Sequence, residues 1–352
     1  MTDGAPTMNP HMFRAYDIRG LAEPYGTDLT PAISRLIGQA WGTWLRRRDG
    51  VSVVGGASMV VGGDLRPHTP ALKAAFVEGA LATGCAVIDI GAATSPLMYF
   101  AVIDRKTSGG VNITASHNPV EYNGIKMVER EAFPIAEEEI AEVRDLAIAR
   151  DFEQGRGALT SWDPTSVYYD TIAALVTLAR PMKVVVDTGN GVAGLFVPTM
   201  LRRLGCDVVE LYTDPDPTFP NHLPDPEKEE NMRDLMALVP RVGAEVGLAW
   251  DGDGDRLGLC DERGYRWNAD FVNILLARSV LKSRPGAEIL IDVKSSMAVL
   301  NEITRCGGRP RLWRTGPPQL KREMYVHKQP FGAEFSGHVV VADGYYSGLR
   351  EP

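Results

Sequence analysis

Cysteine is scarce and scattered in this sequence. Cys85, Cys206, Cys260 and Cys306 lie far apart among 352 residues, and no two form a C-x-x-C pair. That argues against a zinc site or a disulfide scaffold and fits a reducing cytoplasm. Long apolar runs are absent too: none approaches the ~20 residues needed to span a bilayer. The amino terminus, MTDGAPTMNPHMF, lacks the basic-then-apolar order of a signal peptide. The expected location is therefore the cytoplasm, with no membrane partner. Positive charge is in deficit, 37 Lys and Arg against 45 Asp and Glu, a net charge of -8. This argues against a nucleic-acid partner, although RLWRTGPPQLKRE near residue 320 is a candidate local basic pocket. Two glycine signatures are missing. The G-x-S-x-G elbow of α/β-hydrolases does not surround Ser116, where T-A-S-H-N stands, and TGNGVAG (188–194) lacks G-x-G-x-x-G. The sequence does not fix an oligomeric state.

What is present is an ordinary globular composition, 44% hydrophobic and 23% charged, in a chain long enough for two or three domains. MVVGGD (59–64), KVVVDTGNG (183–191) and EILIDVKSS (288–296) are short apolar runs ending in Asp and small residues. Each precedes a stretch with helical spacing: PALKAAFVEGALATG, VAGLFVPTMLRRLG and MAVLNEITRCGG. CAVIDIG and CDVVELY then read as second strands. Strand, turn, helix and strand make the βαβ unit of mostly parallel sheets. Its recurrence predicts an α/β protein of three related mixed-sheet domains, over 1–155, 156–258 and 259–352. Residues 135–157 read as an acidic amphipathic helix running into a Gly-rich loop. Residues 212–231, rich in Pro and Asp, read as a long loop.

Four stretches could carry chemistry. In WDGDGDRLGLCD (250–261), Asp251, Asp253 and Asp255 alternate with glycine between two apolar runs. The spacing fits the first, third and fifth positions of a calcium loop, and Glu262 falls at the twelfth. Arg256 stands where that loop needs Gly, and the flanks read as strands. A solvated hairpin turn is a second alternative. The preferred reading is an oxygen-ligand site for Mg²⁺, with open positions to polarise a phosphoryl oxygen and Arg256 beside it to hold another. In GGVNITASHNPVEYNGIKMV (109–128), Ser116 falls on a turn between two strands, either as an ordinary Asn-Pro turn or as a nucleophile with His117 and Lys126 nearby. In FGAEFSGHVV (331–340), Glu334, Ser336 and His338 would share one face of an extended segment and suit a polyhydroxylated ligand. FRAYDIRG (13–20) places Arg14 and Arg19 near the start of the first domain.

Taken in order, FRAYDIRG, TASHNP, YNGIKMV, MKVVVDTGNGVAG, FPNHLPDPEKEEN, AWDGDGDR, WRTG and GAEFSGH resemble the α-D-phosphohexomutase family, most closely its phosphomannomutase/phosphoglucomutase branch. The resemblance implies three such domains around a central cleft. It also implies a cytoplasmic isomerase of carbohydrate metabolism that interconverts mannose or glucose 6-phosphate and 1-phosphate. On it, Ser116 would be the phosphoserine, and Asp251, Asp253 and Asp255 with the phosphoserine oxygen would hold one Mg²⁺. Glu334, Ser336 and His338 would contact sugar hydroxyls. Tyr16, Arg19, His117, Lys126 and Arg256 would surround the transferring phosphoryl group. A small-molecule sugar phosphate would be the partner, and a bisphosphorylated hexose the intermediate and activator.

The chain also departs from that family. It has Pro317 where His is typical and Gly63 where Arg is usual, and it looks shorter between GHVVV and DGYYSG. The family's fourth domain, which grips the non-transferring phosphate, is expected to be absent after Pro352. The alternative expectation is a truncated homologue, impaired in catalysis, that binds sugar phosphates or regulates.

Overall fold

The apolar runs of the sequence are the central strands of three sheets. In the first unit, Met1–Pro164, the strands are β1 (Ile18–Leu21), β2 (Ser58–Gly63), β3 (Ala86–Ala92), β4 (Gly109–Ile113), β5 (Tyr122–Glu129) and β6 (Leu159–Ser161). They lie in the order β1-β5-β4-β2-β3-β6. β4, β2, β3 and β6 run parallel, while β5 is antiparallel to both β4 and β1. The computed structural model describes residues 7–49 and 56–342. The DGYYSG end of the stretch expected to be short therefore lies outside the described residues. β6 belongs to the first sheet although it follows position 155, the expected end of the first domain.

Helices α1 (Pro31–Asp49), α2 (Thr69–Ala82), α3 (Ser95–Arg105) and α4 (Glu137–Ala149) accompany this sheet. The Thr94 hydroxyl caps α3 by accepting from the Leu97 amide. Glu137, Glu138 and Glu139 supply the acidic first turn of α4, as its sequence predicted. α1 and α2 approach closely because both carry glycine at the crossing. A Cβ on Gly38 would sit 2.1 Å from the Phe76 carbonyl oxygen, and one on Gly79 2.1 Å from that of Arg35. The crossing anchors α2, whose first residue, Thr69, closes the segment carrying Asp64 and Arg66.

The second unit, Thr165–Pro352, holds two sheets. α5 (Thr165–Leu175) leads into β7 (Lys183–Asp187), α6 (Val197–Arg203), β8 (Asp207–Leu211), α7 (Glu229–Val242), β9 (Val246–Trp250), β10 (Leu257–Asp261) and β11 (Arg266–Trp267). Their order is β11-β10-β9-β7-β8. Position 258, the expected end of the second domain, falls inside β10, and the sheet continues to Trp267. The third sheet follows α8 (Ala269–Ser283). It contains β12 (Glu288–Asp292), β13 (Arg309–Trp313), β14 (Phe331–Ala333) and β15 (Val339–Val341), ordered β13-β12-β14-β15, with helices α9 (Met297–Arg305) and α10 (Pro317–His327).

The repeat seen in the sequence is a repeat of topology. β5-β4-β2-β3, β10-β9-β7-β8 and β15-β14-β12-β13 have the same strand order. In each set the last three strands are parallel and the first is antiparallel to its neighbour. β12 shows why such strands read as unbroken apolar runs. Ile289 and Ile291 pack in one cluster with Val299, Ile303 and Phe331, while Leu290 faces the opposite one with Leu320 and Met324. Side chains alternate across a strand, and helices cover both faces, so the central positions Ile289, Leu290 and Ile291 are all apolar. The helix expected over 192–205 is divided. A 3-10 turn, Val192–Leu195, precedes α6, and the backbone turns at Phe196. Pro198 has no amide to continue the earlier turn but suits the first turn of a new helix.

Candidate active site

Three of the four chemistry-bearing stretches occupy one topological position. TASHN leaves the carboxyl end of β4, DGDGD that of β9 and EFSG that of β14, and each returns through the antiparallel strand. Carboxyl ends of parallel strands are where open α/β sheets bind ligands.

In the first unit, Ser116 is only 1% exposed and has φ +53, a left-handed conformation unusual for a residue with a Cβ. The Thr114 hydroxyl accepts from its amide at 2.9 Å, and its Oγ lies 3.3 Å from His117 Nδ1. Two arginines hold the loop. Arg19, paired with Asp17 at 2.8 Å, donates to the Ala115 carbonyl at 2.9 Å and to Asn118 Oδ1 at 2.5 Å. Arg66, which sequence reasoning missed, lies beneath the loop and donates to four of its carbonyls. Lys126 is half-buried on β5, in register with Asn112 of β4. Tyr16 is half-buried and Arg14 exposed in the segment before β1. The Gly63 position of β2 is tight: a Cβ there would sit 2.6 Å from Thr69 Cγ2.

In the second unit, Asp251, Asp253 and Asp255 bring carboxylate oxygens within 4.8 Å of one another, and the first two are fully buried. Asp251 Oδ1 accepts from the amides of Asp255 at 3.0 Å and Arg256 at 3.1 Å, which ties the loop into a turn. Gly254, at φ +75, permits it. Strands rather than helices flank the loop, so it is no EF-hand, and burial rules out the solvated turn. Arg256 Nε lies 3.9 Å from Asp251 Oδ2, and its Nη1 pairs with Glu227 at 2.7 Å. Burial opposes charge on Arg256, but Asp251, Asp255, Glu227 and Asp253 outweigh it and raise its pKa. Three clustered carboxylates, two of them fully buried, need more positive charge than one guanidinium. Their donor set, hard oxygens only, fits a divalent cation such as Mg²⁺.

Glu334, Ser336 and His338 do come together, but through a turn rather than an extended strand. The Gly337 amide donates to the Glu334 carbonyl, with Gly337 at φ +89. Ser336 Oγ lies 2.9 Å from His338 Nδ1 and 3.1 Å from Glu334 Oε2. His338 Nδ1 is 3.0 Å from Glu334 Oε2, and its Nε2 is 3.2 Å from Asp255 Oδ1. Burial would favour neutral His338, yet Asp255 and Glu334 raise its pKa. Burial likewise opposes charge on Glu334, but the His338 imidazole, the Gly316 amide and Ser336 bring it below the usual carboxylate range. The imidazole thus links the sugar-loop candidates to one candidate metal ligand. Pro317 begins α10 directly after Gly316, whose amide donates to Glu334 Oε1 at 2.5 Å. Proline fits this first helical turn. In the RLWRTGPPQLKRE stretch, Arg311 is committed to Glu288 and Glu323, while Arg314 is exposed.

Residues 10–154 match phosphoglucomutase/phosphomannomutase alpha/beta/alpha domain I, residues 166–264 match domain II and residues 268–349 match domain III. The chain belongs to the phosphoglucomutase/phosphomannomutase family. It is 38% identical over 356 residues to the phosphomannomutase/phosphoglucomutase of Pseudomonas aeruginosa, covering 99% of this chain and 75% of that one. It is 36% identical to a phosphoglucomutase of Neisseria gonorrhoeae, covering 96% and 74%. The crystal structure of a phosphoglucomutase/phosphomannomutase family protein from Burkholderia thailandensis superposes with a TM-score of 0.90 at 37% identity, over 97% of this chain and 75% of that one. No helix among the described residues is long and apolar enough to cross a membrane.

The loop over 212–228 bears on the family's second domain through His222. Its Nε2 donates to Asp187 Oδ2 at 3.1 Å and its Nδ1 faces the Leu223 carbonyl at 2.9 Å, beside the Tyr212 ring. Burial lowers its pKa, but Asp187, Leu223 and Asp234 more than offset this and raise it. A raised folded-state pKa contributes stability that is complete below the unfolded value, near 6.5, and is lost as pH rises through the folded one. Wild-type Tm should therefore exceed that of His222→Gln by most near pH 6. The gap should narrow above pH 7 in thermal melts, and a gap independent of pH would contradict the assignment.

Proposed function

We propose that this chain is a cytoplasmic phosphohexose mutase that moves a phosphoryl group between the 6- and 1-oxygens of mannose or glucose phosphates. The observation that carries the reading is Ser116. It is a buried hydroxyl in left-handed backbone, at a strand's carboxyl end, on a loop clamped by Arg19 and Arg66. A turn of no chemical consequence has no need of that conformation or those clamps.

In the proposed cycle Ser116 carries the phosphoryl group. The sugar's free hydroxyl attacks phosphorus, a P–O bond to the sugar forms, and the P–Oγ bond breaks. The hydroxyl proton passes to a base, for which Lys126 is the candidate. The bisphosphorylated hexose turns over in the site, and Ser116 takes back the other phosphoryl group. Asp251, Asp253 and Asp255 would hold Mg²⁺, which when bound neutralises charge on phosphoryl oxygens. Arg19, His117 and Arg256 orient the phosphoryl group. Glu334, Ser336 and His338, with Tyr16, hold sugar hydroxyls.

A coupled assay with mannose 1-phosphate and glucose 1-phosphate, with a trace of bisphosphorylated hexose, tests this. Turnover of either sugar is expected, and none from either would refute it. Pro317 favours a second reading, because the imidazole typical of the family is missing there. That reading predicts sugar-phosphate binding by calorimetry without turnover.

A further inference from the structure

The Arg66 guanidinium is bonded through all three of its nitrogens, and the proposed cycle does not use it. Its side chain is fully buried. A guanidinium has five N–H donors, and here four bonds go to one loop and the fifth to Asp64. Nε pairs with Asp64 Oδ2 at 3.2 Å. Nη1 donates to the carbonyls of Pro119 at 2.6 Å and Tyr122 at 3.1 Å. Nη2 donates to those of Ser116 at 2.8 Å and Asn118 at 2.6 Å. Asp64 is itself oriented, since its Oδ1 accepts from the Arg66 amide at 3.0 Å and from the Thr69 hydroxyl at 2.6 Å. Asn123 donates to Thr69 Oγ1 and also contacts His68, whose Nε2 meets the Val120 carbonyl at 3.0 Å.

We infer that Arg66 is a positioning residue for phosphoryl transfer, which fixes the 116–122 loop and so the direction of Ser116 Oγ. The inference rests on Ser116 being the phosphoryl carrier. Arg66 cannot itself grip a phosphate, because it is buried and its donors are spent on the loop. Its effect is to draw four carbonyls inward around one cation. A trans peptide opposes its N–H to its C=O, so the Ser116–His117 peptide then turns its N–H away from the guanidinium. The bond to the Ser116 carbonyl also holds a serine whose left-handed backbone is costly in isolation. Lysine at 66 keeps the charge, but its three donors lack the planar fork, and it cannot serve five acceptors.

The test uses the full chain with Arg66→Lys and Asp64→Asn, which leaves the four carbonyl bonds but removes the ion pair that orients the fork. Both variants are compared with wild type for Tm, for steady-state kinetics and for transfer from phosphorylated Ser116 in a single turnover. A misplacement of about 1 Å costs on the order of 10²-fold in rate. Arg66→Lys is expected to lose about that much kcat and single-turnover rate, and Asp64→Asn about tenfold, with KM for the sugar phosphate within about twofold of wild type. A merely structural role would lower Tm and leave the kcat of the folded fraction unchanged. Folded variants that transfer at the wild-type rate, or a loss confined to KM, overturn the assignment. So does failure of both variants to fold, which makes Arg66 a folding residue. A wild-type chain that takes no phosphate on Ser116 refutes instead the mutase reading on which the inference stands.

Discussion

Ser116→Ala is expected to abolish phosphoryl transfer while leaving the fold in place. The substitution removes one oxygen from a residue that is 1% exposed. The backbone bonds that hold the loop, from Arg66 to the Ser116 carbonyl and from the Ser116 amide to Thr114 Oγ1, do not involve that oxygen. Alanine and serine are equally disfavoured at φ +53, so the strain is unchanged. The hydrogen bond between Oγ and His117 Nδ1, at 3.3 Å, is long and half-buried, so its removal carries small energetic weight. Chemically the loss is total, because His117 and Lys126 do not supply an alternative hydroxyl at the same point. Removing a nucleophile costs on the order of 10⁴-fold or more. Intact mass after incubation with bisphosphorylated hexose should show one added phosphoryl group on wild type and none on the variant. A variant that still gains the mass, or still turns over sugar phosphate, places the carrier elsewhere.

Asp253→Asn carries the second-largest expected effect, and its sign differs with and without metal. Asp253 is fully buried among carboxylates whose oxygens lie within 4.8 Å. Without a cation, removing one of three mutually repelling charges relieves the cluster. The metal-free variant should therefore melt no lower than metal-free wild type. With Mg²⁺ the order reverses, because a ligand that binds only the folded state raises stability by mass action and the variant lacks one anionic oxygen donor. Metal-ion stabilisation of phosphoryl charge is worth several kcal/mol, so losing much of it costs on the order of 10²–10³-fold in transfer rate. Thermal melts with and without Mg²⁺, together with single-turnover transfer, provide the check. Equal Mg²⁺-induced shifts in Tm for wild type and variant would show that the aspartates do not bind the ion.

The strands and their repetition were legible because central parallel strands are buried on both faces. Leu290 and its neighbours Ile289 and Ile291 all face cores, so the run is apolar throughout. The stretch 192–205 has the periodicity of one helix but is divided, because apolar periodicity continues across Pro198, where backbone continuity does not. The convergence of Glu334, Ser336 and His338 was expected, but not its means. Alternate spacing suggested a strand face, whereas a turn with Gly337 at positive φ gathers the same side chains. Arg66 had no local signal. The carbonyls it bonds lie 50 to 56 positions away.

By itself the sequence determined the family resemblance, the three α/β repeats, and the serine and aspartates on which chemistry would depend. The resemblance rests on motifs spread in order along the chain, whereas the period of a strand or the crowding of carboxylates is a local pattern that needs no knowledge of distant contacts. Only the tertiary structure decided what holds those groups in place: Arg66 under the serine loop, Glu227 against Arg256, His222 on Asp187 and His338 between Asp255 and Glu334. A buried charge is stable only where a partner has been folded onto it. Apart from the local His338–Glu334 pair, those partners come from elements far apart in the chain, and chain topology rather than local pattern brings them together.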